Sequence, residues 1–157
     1  MNRLMRSLMA LATGLCFLAA SAQAQTTERA SKDEAKALAD AAIDHLSKVG
    51  MDKAFKDFSE DKDKWKPKDL YVFSVDLDGK MLAHGGNPKL VGKDMKSLKD
   101  PNGKMMTEEF IQVATTKGTG WVDYEWPHPQ TKKIESKSTY IKRIPNFNGF
   151  VGVGVYR

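Results

Sequence analysis

His45, His84 and His128 are the side chains best suited to move a proton or hold a metal near neutral pH. They stand far apart, on a helical stretch, a strand end and a proline-flanked loop. None has the His-x-Glu or i,i+4 partner that a zinc site needs. Asp76-Leu77-Asp78-Gly79 resembles the start of a calcium loop, but the closing carboxylate is missing, because Asn87 stands at the twelfth position. The tetrapeptide reads as a turn. No serine lies in a G-x-S-x-G elbow, and Cys16 is the only cysteine. The glycines of Gly149-Phe150-Val151-Gly152-Val153-Gly154 precede no helix, so they make no dinucleotide fingerprint. No metal, cofactor or catalytic residue is expected.

What remains suits gripping a small molecule rather than transforming it. His84 closes a strand just before Gly85-Gly86. A neutral imidazole there can donate a hydrogen bond and a protonated one can neutralise an acid; the alternative is a histidine that anchors the loop. Strand alternation puts Val122, Tyr124 and Trp126 on one face and Trp121, Asp123 and Glu125 on the other. Tyr71 and Phe73 share a face of an earlier strand. Such aromatics are core residues or pocket walls, and both readings stay open.

These groups need elements to hold them. Ser31 and Glu34 have capping-box spacing, and Ala35, Leu38, Ala39, Ala42, Ile43, Leu46 and Val49 form one helical stripe that ends at Gly50. Met51, Ala54, Phe55 and Phe58 continue the period, and Asp61-Lys62-Asp63-Lys64 reads as a solvated linker. Leu70–Val75 and Lys80–His84 are strand-like around the Asp78-Gly79 hairpin signal. Gly85–Asn102 reads as loop and Thr107–Lys117 as a helix. Three strands follow, at Gly120–Trp126, Ile134–Ile144 and Phe150–Tyr156, broken at Pro127-His128-Pro129 and Pro145–Gly149. Helices and strands do not alternate, which argues against a parallel sheet. The expected class is α+β: a five-stranded antiparallel sheet with a long N-terminal helix and a crossover helix.

The first residues read as an export signal. Arg3 and Arg6 precede an apolar run, Leu8–Ala20, and Ala22-Gln23-Ala24 offers a cleavage site. Residues 1–24 are therefore expected to be removed, leaving residues 25–157 as one domain without cysteine. The rival, a retained anchor, has too short an apolar run to span ~30 Å of hydrocarbon comfortably. Removal takes two arginines and lowers the net charge from +5 to +3. Charge is mixed along the chain, and no basic block points to nucleic acid. The mature protein is expected in the periplasm or secreted, without stable membrane insertion.

The order of motifs resembles the single-Cache family, extracellular relatives of PAS domains. The likeness is carried by Leu70-Tyr71-Val72-Phe73 with Asp76–Gly79, Ala83–Lys93, Gly120–Pro127, Ser136–Lys142 and Gly152–Tyr156. It implies a PAS-like sheet with the long helix along one side and a small-molecule pocket under the crossover. Family members sit in chemotaxis receptors and sensor kinases, and many bind small organic acids. Lys137 and Tyr140 match the family's K-x-x-Y and become candidate ligand contacts, a cation and a hydroxyl donor. Residues three apart face opposite sides of a regular strand, so both reach one pocket only across a bulge; otherwise one of them lies outside it.

The expected ligand set is Tyr71, His84, Tyr124, Trp126, Lys137 and Tyr140, closing on a small organic anion, most simply a carboxylate. Arg157 follows the last strand by one residue, so the expected role is sensing through a membrane sensor or receptor partner. The alternative is an interaction subunit that docks on such a partner without a ligand. An enzyme is the least supported reading.

Overall fold

The computed structural model describes residues 28–157, and the expected export signal lies outside them. The first helix, α1 (Lys32–Val49), opens on the capping box: Glu34 N donates to Ser31 Oγ at 3.2 Å and Ser31 N donates to Glu34 Oε2 at 2.8 Å. Its stripe is short where it meets the sheet, with Ala35, Ala39 and Ala42 fully buried. Gly50, at φ +83°, turns the chain into α2 (Met51–Glu60). Asp61-Lys62-Asp63-Lys64 is not a free linker. It forms most of a one-turn helix, α3 (Lys62–Trp65), capped by Asp61 Oδ1. Trp65 drives this turn: it is 2% exposed and packs edge-on against Phe58 at 4.7 Å.

The strands are β1 (Val72–Asp76), β2 (Met81–His84), β3 (Thr119–Pro127), β4 (Ile134–Arg143) and β5 (Gly149–Tyr156). They form one antiparallel sheet in the order β2-β1-β5-β4-β3. The crossover from β2 to β3 carries a 3₁₀ turn (Pro88–Leu90) and α4 (Met106–Thr116). It covers the face of the sheet opposite α1. The α+β, PAS-like arrangement expected from the sequence is the one observed.

Alternation divides β1, β3, β4 and β5 between two cores, and in β2 a register shift against β1 puts Met81 and Ala83 on opposite sides. Val72, Ala83, Val151, Val153 and Val155 pack under α1 and α2. Tyr71, Phe73, Val75, Val122, Tyr124, Ile141, Phe150 and Tyr156 pack under α4 and the crossover. On this second face β5 carries glycine twice. A Cβ on Gly152 would lie 2.2 Å from the Phe73 ring, and one on Gly154 would lie 2.2 Å from Lys137 Cε. These two positions leave room for large side chains to lie across the strand.

Candidate functional site

Lys137 is the unusual residue of this face, because it is fully buried. Its register partners on either side are Tyr124 on β3 and Tyr156 on β5. Its stem runs over Gly154, and Nζ donates to Tyr71 Oη at 2.7 Å. Nζ also lies 3.9 Å from the Tyr71 ring centroid and 4.7 Å from that of Tyr156. Ring faces and a hydroxyl dipole stabilise a cation only partly. Burial therefore holds the amine well below the ordinary lysine range, and the charge of Asp69 opposes that shift without cancelling it.

The hydrogen-bond order fixes what Tyr71 can do. Tyr156 Oη donates to Pro127 O at 3.0 Å, which uses its proton. Tyr71 Oη accepts from Lys137 and lies 3.4 Å from Tyr156 Oη. That last distance is long for two hydroxyls. Tyr71 thus keeps a proton with only a distant internal acceptor. His84 is in a similar state. Asn87 N donates to Nδ1 at 2.8 Å, so Nδ1 is the acceptor and Nε2 carries the hydrogen. Burial, and then the nearby Lys137, pull the imidazole down to about 3, which keeps it neutral at pH 7. Its ring lies 4.8 Å from that of Tyr71. Gly86 lies against the same tyrosine, where a Cβ would sit 2.9 Å from the ring.

Two spaces meet at these residues. Tyr71, His84 and Trp126 line both. The inner recess, of about 20 Å³, is walled by Phe73, Val75, Met81, Met95, Met106 and Phe110, with Thr107 and Tyr124. That is room for one water-sized group. The outer cleft, of about 380 Å³, is completed by Gly86, Asn87, Lys89 and the stretch Pro127–Pro129 with Lys132. No carboxylate lines it. Lys66 stands close by and is held below the ordinary lysine range by partial burial and by Lys132 and Lys62. The cleft is thus a cationic mouth over two neutral donors.

His128 forms the cleft's far wall and is fully buried. Its Nδ1 accepts from Gln130 N and Thr131 N, at 3.2 and 3.3 Å. Nε2 faces Asp69 Oδ2 at 3.7 Å, beyond hydrogen-bond reach. Asp69 Oδ1 in turn accepts from Ala30 N at 2.9 Å, just before α1. Among the described residues, no three His, Cys, Asp or Glu side chains gather closely enough to hold a metal ion.

The model of the family described as "Single Cache domain 2" matches residues 5–157. This chain belongs to the single-Cache family. Two curated relatives are methyl-accepting chemotaxis proteins: McpP of Pseudomonas putida, 34% identical over 88 residues, and CtpM of Pseudomonas aeruginosa, 28% identical over 89. Each alignment covers 56% of this chain and 16% of the relative, so the Cache domain spans a small part of those receptors. Among solved structures, a Cache chemosensory domain described as recognising carboxylic acids superposes with a TM-score of 0.67 at 26% identity. That match covers 79% of this chain and 91% of the other. A chemotaxis protein of Vibrio parahaemolyticus gives 0.68 at 26% identity, covering 80% and 87%. No helix among the described residues is long and apolar enough to cross a membrane.

Within the Cache frame, the structure sorts the six expected site residues. Tyr71, His84 and Trp126 line both spaces, and Tyr124 lines the recess, where its hydroxyl lies 3.0 Å from Thr139 Oγ1. Lys137 lines neither space and reaches them only through Tyr71. Tyr140 is a correction. The β4 register runs unbroken on both sides, so the bulge that would turn Tyr140 inward is absent. It packs against Trp121 at 5.3 Å on the α1 face, with Lys36 over its ring. The residues that sequence reasoning missed are Tyr156, His128, Lys132 and the three methionines. Only Tyr156 carried a usable signal, the period-two run Phe150-x-Gly152-x-Gly154-x-Tyr156.

Proposed function

We propose that this Cache domain is an exported, periplasmic sensory module that captures a small organic carboxylate. Occupancy would be passed to a membrane receptor or sensor partner, and residues 1–24 would be removed during export. The observation that carries the reading is the donor pair at the junction of the two spaces. Tyr71 Oη–H and His84 Nε2–H both have hydrogens to give and are neutral at pH 7, beneath a mouth lined by lysines and free of acids. A carboxylate can accept from both, and hydrogen bonds to a charged acceptor are among the strong ones. Lys137, donating to Tyr71 Oη, polarises that hydroxyl toward the ligand from behind. Trp126 and Tyr124 supply aromatic wall. The arrangement holds an anion without presenting a nucleophile to it, which supports binding rather than catalysis. The similar Cache domain described as recognising carboxylic acids supports the same class of ligand.

A thermal-shift screen of mono- and dicarboxylates tests this. A ligand that binds only the folded state, at a hundred times its Kd, adds about 2.7 kcal/mol of stability. At least one acid should raise Tm, and Tyr71→Phe should abolish most of the shift. If a broad acid library leaves Tm unchanged at millimolar concentration, the reading fails.

A further inference from the structure

The loop between β3 and β4 is wound around one imidazole. Pro127 and Pro129 flank His128 and have no N–H to donate. The next two amides, of Gln130 and Thr131, both donate to His128 Nδ1. That nitrogen accepts only while it carries no proton, so Nε2 holds the hydrogen of the neutral ring. Nε2 faces Asp69 Oδ2 across 3.7 Å, and among the described residues neither atom has a hydrogen-bond partner. The ring thus stands between two sets of partners, and its proton count selects between them. Neutral, it staples the loop. Protonated, its Nδ1–H meets two N–H donors head-on, while its charge suits the unbonded oxygen of Asp69. We propose that protonation of His128 releases the β3–β4 loop and opens the wall that this loop gives to the outer cleft.

The groups packed on the ring come from several elements. Burial is what keeps the ring neutral while the loop is shut. Glu135 on β4 and Asp69 ahead of β1 pull toward the proton, and Arg29 ahead of α1 opposes them. Arg29 reaches Glu135 at 2.6 Å and Asp69 at 4.0 Å. Tyr156 of β5 meets the ring edge-on at 4.7 Å, and burial keeps its hydroxyl un-ionised. Lys132, in the loop itself, donates to Pro129 O at 2.6 Å. Opening the loop lets water reach the ring and lifts the main cost of charging it. The open state therefore binds the proton more tightly than the shut one. Acid shifts the balance toward it, by up to about tenfold per pH unit below about 6.5. What moves is part of the cleft, since Pro127, His128, Pro129 and Lys132 all line it. The switch needs no ligand, so it stands or falls apart from the carboxylate reading.

The test is amide exchange by NMR, read as protection factors for Gln130 and Thr131 from about pH 7.5 to about pH 5. It compares the unmodified protein, His128→Asn and Asp69→Asn. In the unmodified protein both protections should fall below about pH 6.5, by up to about tenfold per pH unit. The nitrogen-15 shift of His128 Nδ1 should titrate in step. Ile141, paired on both sides in the middle of β4, should stay far better protected throughout. The His128→Asn carboxamide oxygen can accept from the same two amides but does not titrate, so protection there should stay within about twofold. Asp69→Asn keeps an acceptor for Ala30 N and removes a charge that favours the imidazolium, so the fall should begin at lower pH; it serves if His128→Asn does not fold. Flat protection in the unmodified protein overturns the switch. So does a fall that the folded variants leave unchanged, or one that Ile141 matches, which would be global unfolding.

Discussion

Under α1 the sheet presents Val72, Val151, Val153 and Val155, and the helix meets it with Ala35, Ala39 and Ala42. Under α4 the same strands present Tyr71, Phe73, Tyr124 and Tyr156, and enclose a lysine, a neutral histidine and two adjoining spaces. Small aliphatic residues let a helix lie close and fill the gap completely. Large rings cannot tile a surface so tightly, and their hydroxyls and edges give polar groups somewhere to rest. Under the proposed function, one sheet would separate rigidity from recognition by sending them to opposite sides. Changes under α1 should move stability alone, and changes under α4 should move ligand affinity.

The largest expected effect is on the α1 face. Phe58→Ala removes a buried ring that packs on Trp65 and should cost about 3–5 kcal/mol of unfolding free energy. Urea titration measures it, and ligand affinity of the remaining folded protein should be unchanged. A matching loss of affinity would break the division between faces. Next in size is Tyr71→Phe on the other face. It removes the donor proposed for the acid and should weaken binding by about 1.5–3 kcal/mol, read by calorimetry, with a smaller change in stability. Equal losses in both would make Tyr71 a structural residue only.

Acid should act next, and through the α4 face first. His84 is neutral in the fold, with its imidazole pulled down to about 3, whereas in the unfolded chain it titrates near 6.5. Between those values the unfolded state binds the extra proton. Stability is therefore whole above about pH 6.5 and declines as pH falls toward 3, at up to ~1.4 kcal/mol per pH unit. His128, lowered mainly by burial, adds in the same direction. Asp57, Asp100 and Glu135 are held low by hydrogen bonds and cations, so their share is lost only in stronger acid. Denaturation midpoints measured from pH 7 to 4.5 should fall, and His84→Gln should flatten the curve. An unchanged slope would show that His84 is not kept neutral. The smallest effect is expected of Tyr140→Phe. Tyr140 lies on the α1 face, so affinity should stay within about twofold, and a tenfold loss would sharpen the comparison by showing that the faces communicate.

The strands and the capped helix were legible because each bears a strong local period: the alternation of Val122, Tyr124 and Trp126, and the alanine stripe after Ser31. That Tyr124 shares a face with Trp126, and Tyr71 with Phe73, followed from the same alternation, which left pocket wall or core open. Where Lys137 ends did not. Its place depends on the register of β4 against β5 and on the space above Gly154, both long-range facts. The pairing of Lys137 with Tyr140 came from a motif, and period two overruled it. Trp65 was hidden by four alternating charges, whose solvated look concealed a buried anchor. The methionines gave no sign, since they come from three elements whose meeting point is set only by the crossover's path.

Gly154 carries one further consequence. A methyl group there would occupy the place of Lys137 Cε and crowd Thr139 Oγ1, at 2.2 and 2.3 Å. In any descendant of this chain, the lysine and the glycine can be inherited together or lost together, but an alanine at 154 beside an unshortened lysine at 137 would push the amine off its tyrosine. Scanning sequences for that pairing would reveal which lineages have given up the contact between this buried amine and its tyrosine, before any ligand is assayed.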